Sequence, residues 1–68
     1  MKYLVVIEKA ERNYAAYVPD LPGCIATAPT LDELHHNIRS AVAMHLEGLR
    51  EDGLSVPEPQ THAEFVEA

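Results

Sequence analysis

The sequence predicts a small α+β fold with the element order β-β-β-α-β, an antiparallel sheet with one helix packed on one face. Three observations predict it. Apolar runs over residues 2–8, 14–18 and 24–28 are short, strand-like in period and separated by turn-forming residues. The segment from Leu31 to Leu49 instead repeats its apolar residues at about 100° per residue, the helical period. Between the two patterns, Pro19-Asp20-Leu21-Pro22-Gly23 has the composition of a stiff turn. The 68 residues are read as one domain, residues 1–68.

In the first strand, Tyr3, Val5 and Ile7 alternate with Leu4 and Val6, so both faces are apolar, as in a strand covered on both sides. Residues 9–13 are polar, and Asn13 favours a reversal into the second strand, where Tyr14, Ala16 and Val18 alternate with Ala15 and Tyr17. Pro19 and Pro22 fix φ at about −65°, and Gly23 can take the positive φ that a type II turn needs after Pro22. The third strand ends at Pro29, which lacks a ladder donor. Thr30 is suited to N-cap a helix, and Glu33 three residues on completes a capping box. The helix is expected to run to about Asp52, with Gly53 as its stop. Leu31, Leu34, Ile38, Ala41, Val42, His45, Leu46 and Leu49 share one stripe, away from Asp32, Arg39, Glu47, Arg50 and Glu51. Residues 54–59 read as an extended, proline-punctuated linker and residues 61–66 as a short last strand.

A chain this short builds a core that supplies only about 3–5 kcal/mol, so it needs a disulfide, a metal or association. Cys24 is the only cysteine, and four scattered histidines form no zinc pattern. Association is what remains. One helix covers one sheet face, yet the strands are apolar on both. The uncovered face or a sheet edge, carrying Tyr3, Tyr14 and Tyr17, is therefore expected to meet another copy or a partner.

Eleven acids against five Lys and Arg give a formal charge of −6, which disfavours direct binding to nucleic acid and favours a basic protein partner. The apolar start Leu4-Val5-Val6-Ile7 is broken by Glu8 and Lys9, unlike a signal peptide, and nothing approaches the roughly 18 apolar residues of a membrane span. A cytoplasmic location is expected.

Catalytic chemistry finds little support. His35 and His36 point about 100° apart on a helix, and His45 lies roughly 14–15 Å further along it. Half-burial at the stripe edge explains His35 and His45 better than metal ligation does. Cys24 has no base implied by its surroundings and reads as a packed strand residue. Metal-dependent nucleases set acids on core strands, whereas strand one offers only Glu8 and the rest of the sheet only Asp20 in a turn. The isolated glycines Gly23, Gly48 and Gly53 cradle no phosphate. No catalytic residue, metal or cofactor is expected.

Taken as one ordered string, Tyr14 to Val18, Asp20-Leu21-Pro22-Gly23-Cys24, Thr30-Leu31-Asp32-Glu33-Leu34, Ala41 to Gly53 and Val56-Pro57-Glu58-Pro59 resemble the HicB-like antitoxin family, including its short UPF0150-type members. The resemblance implies a truncated RNase H-like β-β-β-α-β fold that has lost its nuclease residues. It also implies dimers or larger assemblies that bind a small basic HicA-like toxin, an mRNA-cleaving protein, and cover its active surface. Many members carry a C-terminal DNA-binding segment. The residues after Gly53 are too few for one, so autorepression by this chain is not expected.

The resulting expectation is a non-enzymatic protein-binding module. Its contact surface is placed at the turn residues Asp20 and Leu21, taken as exposed and rigid, and at the acids Asp32 and Glu33. Two other classes remain beside it. One is a metal-dependent hydrolase using Glu8, Asp20 or a histidine; the other is a structural oligomer or small-ligand binder without a toxin partner.

Overall fold

Residues alternating between two faces at strand period pair here into a three-stranded antiparallel sheet. Its order is β1 (Val6–Lys9), β2 (Tyr14–Tyr17) and β3 (Ile25–Ala28), with β2 central. A single helix, α1 (Leu31–Glu51), follows. The computed structural model describes residues 1–68.

The register sorts the side chains. Ile7 lies opposite Ala16 and Ala16 opposite Ala26, while Tyr14 lies opposite Ala28, so these residues share one face. Val6, Tyr17 and Ile25 form a row on the other face, beside the row Glu8, Ala15 and Thr27. The helix lies over β3 and β2 on the first face and makes no contact with β1. Small Ala16 and Ala28 in the sheet leave room for Leu34 and Ile38 from the helix. Seven residues are buried: these four together with Val18, Leu21 and Cys24.

The loop between β2 and β3 is two successive turns. The Leu21 amide donates to the Val18 carbonyl (3.0 Å), and the Cys24 amide donates to the Leu21 carbonyl (3.0 Å). Gly23 has φ +84°, the value position i+2 of a type II turn demands. The Val18 amide reaches the Cys24 carbonyl (3.1 Å) and closes the loop, driving Leu21 inward to complete burial.

Helix ends follow from local chemistry. Thr30 holds extended backbone angles, and its hydroxyl accepts from the Glu33 amide (3.2 Å). Only that half of the expected capping box forms; the Glu33 side chain stays exposed. At the other end Gly53 has φ +70°, its amide donates to the Arg50 carbonyl (3.1 Å), and the Leu54 amide donates to Leu49 (2.9 Å). These two bonds are the paired closure of a Schellman motif.

Two sequence expectations are corrected. The first strand begins at Val6 rather than residue 2, because Val6 pairs with Tyr17, the last residue of β2 before the chain turns at Pro19. The last strand at residues 61–66 does not form. The Thr61 amide donates to the Asp20 carboxylate instead of a ladder, and Phe65 and Val66 stand in solvent at 100% and 80% exposure.

With seven buried residues, removing one large apolar side chain takes a large share of the stability. Leu21→Ala is expected to lower the unfolding free energy by about 2–5 kcal/mol, measured by urea denaturation followed by circular dichroism.

Candidate functional site

The expected contact residues fall into three different environments. At the turn, Asp20 is turned toward its own chain. One carboxylate oxygen (Oδ2) accepts from the Gln60 and Thr61 amides at 3.0 Å each, and the other (Oδ1) accepts from the Thr61 hydroxyl at 2.7 Å. These bonds, the Thr61 amide foremost, hold the Asp20 carboxyl below the usual carboxylate range. Leu21 is fully buried, so the sequence expectation of an exposed contact residue there is corrected: the double turn points it into the core. The Pro19–Gly23 turn is thus an internal fastener.

Asp32 and Glu33 are exposed in the first turn of α1, where acids also complement the positive end of the helix dipole. Asp32 borders a shallow hollow shared with Tyr14, Pro29, Thr30 and Leu31. This hollow is the one place where an expected contact acid and an expected interface tyrosine come together.

The three tyrosines separate. Tyr3 and Tyr14 pack against the core on the helix side, and the Tyr3 hydroxyl donates to the Pro57 carbonyl. Lys9 lies over the Tyr14 ring, 6.0 Å from its centroid. Only Tyr17 belongs to the face the helix leaves open. It stands there with half-buried Val6 and with Ile25, the latter 67% exposed. Sequence reasoning missed Ile25 as a member of this face. The strand alternation of Ile25, Ala26 and Thr27 carried the signal, but the face it occupies depends on the register.

Groups with catalytic potential are dispersed. Cys24 is 3% exposed and burial pushes its thiol up, opposite to what a nucleophilic thiolate needs. Glu8 sits at the hairpin end of the sheet and Asp20 at the opposite end, so the two acids do not converge. No group of three or more His, Cys, Asp or Glu side chains is placed to hold a metal ion. No helix is long and apolar enough to cross a membrane.

The Asp20 fastening is testable by pH and by mutation. A carboxyl lowered in the folded state stabilises fully above its unfolded value, and the contribution is lost as pH falls through the lowered folded value. Protection factors of the Gln60 and Thr61 amides, their exchange rates divided into the intrinsic rates at each pH and followed by NMR, are expected to fall on acidification through that range. At neutral pH, Asp20→Asn is expected to lower them by about tenfold.

Known proteins agree with this architecture. A family model described as HicB_like antitoxin of bacterial toxin-antitoxin system matches residues 3–68. A 14.9 kDa protein of the rep-hol intergenic region of Haemophilus phage HP1 is 35% identical over 66 residues, covering 97% of this chain and 50% of the phage protein. The chain thus spans half the length of that relative. A UPF0150 protein of Archaeoglobus fulgidus is 46% identical over 48 residues, covering 69% of this chain and 70% of the relative. Among solved structures, a chain of a HicA3 and HicB3 toxin-antitoxin complex superposes with a TM-score of 0.75 at 30% identity, covering 88% of this chain and 70% of that one. On matched residues, strand order and helix placement together, the chain belongs to the HicB-like antitoxin family.

Proposed function

We propose that the chain is a non-enzymatic antitoxin module that binds a small basic, HicA-like mRNA-cleaving toxin in the cytoplasm and neutralises it by covering its active surface. The observation that carries this reading is the family membership together with the close superposition on a chain from a toxin-antitoxin complex. Physical chemistry supports it. A protein that cleaves RNA must present positive charge to phosphates, and this chain has a formal charge of −6. Direct binding of nucleic acid by the acidic module itself is no part of the reading. Of the acids expected at the contact surface, Asp32 and Glu33 have exposed side chains, whereas Asp20 is occupied by its own chain.

The module also self-associates, as a dimer or a larger assembly, through the open sheet face with Tyr17 and Ile25 at its centre. Support comes from the small core and from shape. The radius of gyration is 13.2 Å, against about 11 Å for a compact domain of this length, and the apolar side chains of Ile25, Met44, Leu54 and Phe65 are more than half exposed.

Two experiments test the two parts. Purified chain mixed with a HicA-like protein encoded beside it is expected to suppress mRNA cleavage at equimolar ratio. Asp32→Lys with Glu33→Lys is expected to weaken the complex at least roughly tenfold, with a smaller salt dependence. Absence of both binding and suppression by the parent chain contradicts the antitoxin reading. Separately, Tyr17→Lys with Ile25→Lys is expected to lower the weight-average sedimentation coefficient of an assembly at a given concentration, with the circular dichroism spectrum unchanged. A parent chain that is already monomeric refutes self-association.

A further inference from the structure

Because α1 lies over β3 and β2 only, a groove remains between the helix and the segment leading into β1. Met1, Tyr3, Val5, Ile38 and Val42 line it, with Arg39 as its only charged side chain. Its volume is about 320 Å³, whereas about 150 Å³ of apolar cavity accepts a benzene ring. The same chain carries a complementary segment after Thr61. There Phe65 is fully exposed with Glu64 and Glu67 close by, and no backbone hydrogen bond to the rest of the chain fixes residues 62–68. In extended backbone Phe65 and Glu67 point to the same side, about 6.6 Å apart along the chain. One ring and one carboxylate therefore face together, as the groove presents one apolar hollow and one guanidinium.

We propose that the groove of one copy receives the segment around Phe65 of a second copy, with the ring among Tyr3, Val5, Ile38 and Val42 and Glu67 paired with Arg39. Apolar fit and charge complementarity identify the occupant. In an otherwise acidic chain, an arginine beside an apolar hollow selects an acidic, aromatic segment. Within its own molecule Phe65 stays in solvent, and the residues before it are held at Asp20 and Tyr3. Each copy offers one groove and one segment, so a two-fold pair satisfies both reciprocally. Asp20 then has a positioning role, since it sets where the segment leaves the body.

The inference rests on the self-association reading and is independent of any toxin. The chain has no tryptophan, so Phe65→Trp places a single reporter in the segment. Its emission is expected to shift to shorter wavelength as concentration rises. Adding Arg39→Glu is expected to move the midpoint of that shift about two- to fivefold higher, and further addition of Glu67→Arg to restore it. Emission that stays at the water-exposed wavelength while the protein sediments as an assembly overturns the inference and leaves self-association standing. A shift of equal size at every concentration overturns it too, because the segment then occupies its own groove. A chain that remains monomeric throughout overturns both.

Discussion

The loop from Val18 to Cys24 folds inward, and most of the molecule is arranged around that fact. Two prolines and a glycine with positive φ confine the backbone to successive turns, and three main-chain hydrogen bonds close them. Leu21 enters the core as a result, beneath a helix supported by small sheet residues. The same geometry turns the Asp20 carboxylate toward Gln60 and Thr61, which binds the segment after the helix back to the sheet. A short loop thereby fixes the β2–β3 connection, fills the core and positions the far end of the chain.

Length limits everything else. A helix of 21 residues is about 31 Å long, whereas the strands have four residues each and cover roughly 13 Å. The helix outruns its sheet, so Leu34 and Ile38 are buried while Ala41, Val42, Leu46 and Leu49 are only half-buried. It also covers only one face, leaving Val6, Tyr17 and Ile25 together on the other. Apolar surface not covered within the molecule is surface available for association. The acids are dispersed over the molecule, and the single cysteine is buried, with its thiol pushed up by that burial.

Most of the architecture was legible along the chain because it is governed by local rules. Thr30 caps the helix through a bond to a residue three positions away, Gly53 ends it through bonds spanning one turn, and Gly23 adopts the φ its turn imposes. The alternation in β2 and the stripe of α1 needed nothing beyond nearest neighbours. The site was less legible. Tyr3, Tyr14 and Tyr17 look alike as residues of alternating strands, yet the register sends only Tyr17 to the open face. Asp20 and Leu21 look like an exposed turn pair, but one is bonded across forty residues and the other is buried.

The sequence alone determined the element order through the helix, the positions of its turns and caps, the acidic character of the surface and the family pattern. Each of these depends on neighbouring residues or on a simple count. Tertiary structure decided which sheet face stays open, that residues 61–66 forgo a strand for the Asp20 carboxylate, and that a groove is left beside Arg39. Those outcomes depend on residues distant in sequence meeting in space, where side-chain size and strand register, rather than local propensity, choose among the available partners.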